Sequence, residues 1–154
     1  MSVREKTSWI AVLTTLVVWS YYFSVFWSEA LAGRIDGEGI RNLFIICLVI
    51  TGIVMLGLTI AVAVAARQSM DAPPDELERQ IEGRADGIGF KLLELLVPVV
   101  LIGGLLNLDA IRTAFPTDPV GSTAIIFANG FLTLMVVVEL VREGVKIVLF
   151  RMTA

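Results

Sequence analysis

Four long apolar runs dominate the pattern of hydrophobic and polar positions along the chain. They cover residues 8–28, 43–66, 88–108 and 123–141, with the last run extending to 141 or beyond. An α-helix rises about 1.5 Å per residue, so about 20 apolar residues cross the roughly 30 Å hydrocarbon core of a bilayer. The pattern predicts an all-α polytopic membrane protein, in which residues 1–154 form one membrane domain built as a four-transmembrane-helix bundle.

Composition and charge support this interpretation. The chain is 56% hydrophobic and 18% charged, and no polar stretch is long enough for a separate soluble domain of about 50 residues. The net charge of -3 and the scattered Lys and Arg residues predict no direct nucleic-acid partner. A secretory signal peptide is the competing interpretation of the first run, but that run exceeds the roughly 7–15 apolar residues of such a signal.

Lysine and arginine collect on one side of the predicted spans. Nine of the 12 precede the first span, lie between the second and third spans or at the start of the third, or follow the fourth. The other three, Arg34, Arg41 and Arg112, lie in the two remaining connections. Because cytoplasmic loops retain positive charge, we expect a multi-pass protein with both termini in the cytoplasm.

The most polar stretch lies between the second and third spans, at residues 71–91. Prolines and carboxylates favour a helix start, and apolar residues then recur at helical spacing, so we expect a short amphipathic cytoplasmic helix at about 74–88. Gly83, Gly87 and Gly89 predict a hinge between this helix and the third span. The residues expected to contact a partner are Asp75, Glu76, Glu78, Arg79, Ile81 and Glu82.

The run D-E-L-E-R-Q-I-E-G-R-A at residues 75–85 resembles the D-E-R-x-x-x-I type juxtamembrane segment of an uncharacterised family of small four-span prokaryotic membrane proteins. Asp75, Glu76, Arg79 and Ile81 align with that segment, whereas Leu77 stands where the family has an arginine. The resemblance implies a protein of the prokaryotic plasma (inner) membrane without assigned chemistry. For some members of the family, the resemblance also implies a function beside a small cytoplasmic DNA-binding regulator.

The sequence contains few residues of the types that act in catalysis or bind metals and cofactors. It has no histidine, and its single cysteine, Cys47, lies within an apolar run and suits helix packing. Neither a phosphate-binding glycine loop nor a paired metal-ligand spacing is present in the sequence. We therefore expect a protein that is not an enzyme and that binds no cofactor or metal.

Two carboxylates inside the predicted spans form a candidate proton or ion site. Ionisable residues within a span are costly and often lie on a proton or ion path, and both Glu94 and Glu139 fall in the half of the membrane nearer the cytoplasm. They would form one site if the third and fourth spans pack together. The alternative is separate pairing, with Lys91 beside Glu94 and Arg142 beside Glu139, each three positions away.

Small and polar residues predict where the spans approach each other. Gly57, Ala61 and Ala65 recur every four residues and form a stripe that allows close helix approach. Asn129 and Gly130 place an amide beside a gap in the fourth span, which suits an interhelical hydrogen bond.

Aromatic residues at positions 19–27 predict membrane anchoring and helix packing at the outer end of the first span. Charged residues after position 141 predict that the fourth span continues as a helix whose end lies among the headgroups.

These features favour a non-catalytic accessory or regulatory integral membrane protein. Its cytoplasmic helix would contact a partner or the bilayer, and we expect a protein partner or further copies of the chain. One alternative is a small homodimeric proton-coupled transporter that uses Glu94 and Glu139. Another is a supernumerary subunit of a larger membrane complex.

Overall fold

The computed structural model describes residues 3–66 and 75–152, and this part of the chain is all α-helical with no β-strand. Four long helices are joined by short connections, one of which contains a short helix. They are α1 (Val3–Leu31), α2 (Gly37–Ala65), α3 (Glu76–Leu106), α4 (Leu108–Ala114) and α5 (Pro119–Met152). All but α4 are long and apolar enough to cross a membrane, as expected for a multi-pass membrane protein.

The long helices run alternately up and down. One end of the bundle, here called the charged end, contains the starts of α1 and α3 and the ends of α2 and α5, while the opposite end contains the connections at 32–36 and 107–118. α1 packs against α2 and α5, and α5 packs against α3. α2 and α3 make no contact with each other within the described residues, so they lie on opposite flanks of the central pair α1 and α5.

An aromatic face of α1 forms much of the core. Trp19, Tyr22 and Phe26 are spaced three and four residues apart, which places them on one side of the helix. All three are buried, and they pack with Ile40 and Cys47 of α2. These rings therefore hold helices together, which is the packing part of the role predicted for them.

The third span begins earlier than its apolar run suggests. Asp75 caps α3, since its carboxylate accepts a 2.7 Å hydrogen bond from the backbone N–H of Glu78, whose carboxylate accepts one from the backbone of Asp75. Residues 76–106 form one continuous helix, so the predicted short helix is the first part of α3 and no break occurs at the predicted glycine hinge. The predicted first residue, at position 74, lies outside the described residues.

Burial explains why this polar segment stays helical. Ile81, Ala85 and Gly89 recur every four residues and are all buried, so one side of residues 76–89, here called the α3 extension, packs on the bundle despite its glycines. At the far end Asn107 is the C-cap, close to the predicted end of the span at 108.

The fourth span is the longest helix. α5 has 34 residues and ends at Met152, which confirms that it continues beyond position 141. At the opposite end of the bundle, the short helix α4 was not predicted from the sequence. The chain turns from α1 toward α2 at Gly33, whose φ of 68° favours a residue without a side chain.

Candidate functional site

Ion pairs tie the helices together at the charged end. The guanidinium of Arg4, in the first turn of α1, forms an ion pair with Glu78, with 3.0 Å between Nε and Oε2, and donates from Nη1 to Glu82. Both carboxylates belong to the extension of α3. The contacts therefore join two helices that are far apart in the sequence and do not pack closely along their lengths.

Glu143 of α5 lies at the centre of a second group of charges. It is only 5% exposed, and its Oε1 accepts hydrogen bonds from Lys146 Nζ at 2.6 Å and Arg142 Nη2 at 3.2 Å. The hydroxyl of Ser8 on α1 also hydrogen-bonds this carboxylate. Two cations and a hydroxyl compensate for its burial, as a carboxylate removed from water requires.

Arg142 extends the network from α5 to α3. Its Nη2 donates to Glu139 at 2.8 Å, and its Nη1 lies 3.7 Å from Oδ1 of Asp86. Its Nε is buried and has no hydrogen-bond partner among the described residues. Further along α5, Arg151 lies 3.6 Å from the buried carboxylate of Glu5. This ion pair joins the end of α5 to the start of α1.

These charges surround a cavity of about 330 Å³, here called the charged-end cavity. All four long helices line it. α1, α3 and α5 supply three cations and four carboxylates, together with the hydroxyls of Thr7 and Ser8, while α2 supplies Met55, Thr59 and Ala63. The cavity is therefore strongly polar on three sides and more apolar on the side of α2.

A second cavity lies nearer the opposite end of the bundle. It measures about 380 Å³ and is lined mainly by apolar residues of α1, α2 and α5, including Ile40 and Phe44. Two of its polar residues, Tyr22 and Asn129, hydrogen-bond each other. The charged-end cavity has the greater variety of polar groups, and it is the stronger candidate for a functional site.

The structure divides the residues that were predicted to bind a partner. Ile81 is 3% exposed, Glu78 and Glu82 pair with Arg4, and Asp75 caps the helix. The remaining two point away from the bundle. Glu76 and Arg79 are exposed, and Glu76 accepts a 3.4 Å hydrogen bond from Gln80.

The two candidate proton-site residues lie in different surroundings. Glu139 is half-buried, pairs with Arg142 and lines the charged-end cavity. Glu94 is exposed on α3 and does not line that cavity. Within residues 3–66 and 75–152, no ion pair forms between Lys91 and Glu94. The pairing predicted from the spacing of three residues is thus present at Glu139 and absent at Glu94.

The predicted helix-packing residues also separate into two groups. Gly57, Ala61 and Ala65 are exposed, and a Cβ at Gly57 would have nothing within 4 Å. Asn129 accepts a buried hydrogen bond from Tyr22, and Gly130 lies against α3, where a Cβ would meet Val100 at 3.5 Å. The α5 residues therefore lie at contacts within the chain, whereas the stripe on α2 is left uncovered.

The sequence analysis missed the residues that make up the charged-end cavity. Glu143 and Lys146 were assigned to a headgroup-facing helix end, whereas Glu143 is the most buried charged residue that lines the cavity. One signal was available. Glu139, Arg142, Glu143 and Lys146 recur three or four positions apart, which places them on one side of α5, and Ser8 belongs to a small polar face of α1.

Among the described residues, no group of three or more His, Cys, Asp or Glu side chains is arranged to hold a metal ion. No protein-family model, curated protein or solved structure matches the chain. The functional interpretation therefore depends on the geometry of the charged end itself.

Proposed function

We propose that the chain is a non-catalytic accessory or regulatory protein of a prokaryotic plasma membrane. Its four long helices hold it in the bilayer, and the exposed side of the first turns of α3 contacts a protein partner.

The observation that carries the proposal is the contrast between the two sides of the α3 extension. The inner side is fixed, because Arg4 holds Glu78 and Glu82 and because Ile81 is buried. The outer side carries Glu76 and Arg79, which are exposed. A helix held in place presents such charges in a defined geometry, which reduces the entropy lost when a partner binds.

The distribution of positive charge supports a cytoplasmic location for this surface. Nine of the 12 Lys and Arg residues belong to the side that contains the charged end. Single cysteines in a Cys47→Ala background test the orientation in intact cells. A membrane-impermeant thiol reagent should label Arg34→Cys directly and Arg84→Cys only after permeabilisation, and the reverse order of labelling would show that the orientation is wrong.

Charge reversal tests the partner contact. The double variant Glu76→Arg/Arg79→Glu exchanges the two exposed charges without altering net charge, so membrane insertion should be retained while a co-purifying partner is lost. The matched control is Glu38→Arg/Arg41→Glu, which exchanges an exposed ion pair at the opposite end of the bundle. The control should retain the partner. Equal partner recovery from the native chain and the α3 variant would contradict the proposal.

A further inference from the structure

The charged-end cavity lies between two helices that do not contact each other. α2 and α3 both line it, yet they do not touch each other anywhere in the described part of the chain. On this side α2 contributes Met55, Thr59 and Ala63, all within its apolar run. In a bilayer, the gap between the two helices would open from the charged-end cavity toward lipid.

The accessible charges in the cavity are balanced. Arg4 and Arg142 have side chains that are 32% and 35% exposed, and Glu82 and Glu139 have side chains that are 33% and 42% exposed. The other charged side chains lining the cavity are more buried, at 19% for Glu78, 7% for Glu143 and 15% for Lys146. A ligand would thus meet two cations and two carboxylates, which suits a zwitterion.

One hydrogen-bond donor in the wall, the buried Nε of Arg142, has no partner within the described residues. A buried donor without an acceptor costs free energy, and a phosphate oxygen near Arg142 would supply acceptors for this guanidinium. Glu82 and Glu139 supply carboxylates that can accept hydrogen bonds from an ammonium group.

We propose that the charged-end cavity binds the headgroup of phosphatidylethanolamine, with its acyl chains leaving between α2 and α3. Its phosphate is placed toward Arg4 and Arg142, and its primary ammonium is placed toward Glu82 and Glu139. The headgroup enters from the leaflet at the charged end. This site is independent of the proposed partner surface, because Glu76 and Arg79 do not line the cavity.

The chemistry of the walls selects among phospholipids. Phosphatidylcholine has a trimethylated ammonium with no N–H to donate to a carboxylate. Phosphatidylglycerol has a phosphate but no ammonium, so the two accessible carboxylates of Glu82 and Glu139 would be left facing an anionic headgroup. Only a headgroup with both a phosphate and a protonated primary amine can pair with the cations and with the carboxylates of the cavity while carrying no net charge.

Lipid retention by the purified full-length chain tests the site. The detergent-solubilised protein is exposed to equal amounts of phosphatidylethanolamine, phosphatidylcholine and phosphatidylglycerol, and the lipid that remains bound is measured by native mass spectrometry. Phosphatidylethanolamine should be preferred by about tenfold, which corresponds to about 1.4 kcal/mol. Equal retention of the three lipids, or a preference for either of the other two, would overturn the proposal.

Two pairs of variants locate the binding. Thr59→Leu fills the cavity from α2, and its control Thr51→Leu changes the same residue type on α2 outside the cavity. Glu139→Gln removes an accessible carboxylate, and its control Glu94→Gln removes a carboxylate that does not line the cavity. The cavity variants should lose the preference for phosphatidylethanolamine while their helical circular dichroism stays native.

The controls should keep the preference of the native chain. Unchanged lipid retention in both cavity variants would overturn the proposal, and so would an equal loss in the controls. A soluble competitor distinguishes a lipid from a water-borne ligand with the same headgroup. Glycerophosphoethanolamine should not displace the bound lipid at equal concentration, because it lacks acyl chains to lie between α2 and α3, and displacement by it would overturn the assignment to a lipid.

Discussion

The hydroxyl of Tyr22 donates a 2.7 Å hydrogen bond to Oδ1 of Asn129, which lies 107 positions later in the chain. The Nδ2 of Asn129 donates in turn to the backbone carbonyl of Ile125 at 2.9 Å. The amide is therefore used on both sides, in a part of the bundle where other polar groups are few. This pair fixes how the two central helices, α1 and α5, are rotated against each other.

Replacing Tyr22 by Phe should destabilise the protein by about 0.5–2 kcal/mol, because Asn129 would keep a buried acceptor without a donor. Thermal unfolding of the purified chain in detergent, followed by circular dichroism, measures the change. The control is Tyr21→Phe, since Tyr21 is 61% exposed and should leave the midpoint unchanged. Equal midpoints for the two variants would show that the bond contributes nothing.

Glu143→Gln should have the largest effect among the charged residues. Lys146 and Arg142 would lose the carboxylate that compensates them, and breaking a buried pair in this way costs about 3–5 kcal/mol. The same substitution at Glu38, whose side chain is 77% exposed, should change stability by less than about 0.5 kcal/mol. Denaturant unfolding of both variants gives the comparison, and a Glu143 variant as stable as the Glu38 variant would contradict the central place of Glu143.

Two adjacent glycines should respond differently to alanine. A Cβ at Gly104 would overlap the ring of Phe127 on α5, whereas a Cβ at Gly103 would have nothing within 4 Å. Gly104→Ala should therefore cost about 1–3 kcal/mol, and Gly103→Ala should be neutral or slightly stabilising. Thermal unfolding of the two variants side by side measures the difference. The reverse order of stability would contradict the close contact between Gly104 and Phe127.

Arg4→Gln should loosen the contact between α1 and the α3 extension. The ion pairs of Arg4 are about one third exposed, so we expect a loss of about 1 kcal/mol or less. The loss should shrink in about 1 M salt, where exposed charges are screened. Lys6→Gln, an exposed change two positions later, is the control. A loss that does not depend on salt would show that Arg4 acts through packing instead of charge.

The number and type of the main elements were predictable because apolar length alone determines them. The ends of the helices were less predictable, because an apolar run in the sequence stops at the first charged residues. α5 continues past Arg142 and Glu143 because these charges are paired with each other, with Lys146 and with Asp86 of α3 instead of with water. The start of α3 was misjudged for a similar reason, because burial of Ile81 and Ala85 outweighs the weakening effect of the nearby glycines.

Most of the candidate site could not be predicted from one sequence. Arg4 and Glu82 are 78 positions apart, and nothing in their local surroundings pairs them. The stripe of Gly57, Ala61 and Ala65 shows a second limit of prediction from the sequence. Its spacing correctly describes one side of α2, but spacing cannot tell whether that side meets a helix of the same chain, another protein or lipid.

Native mass spectrometry of the full-length chain, extracted with its surrounding lipid from its own membrane, tests the proposed function most directly. The account predicts a particle that contains a second, different protein, and predicts that the Glu76→Arg/Arg79→Glu variant loses this protein while keeping its membrane insertion. A particle that contains only copies of this chain with lipid, identical for the native and variant chains, would contradict the account.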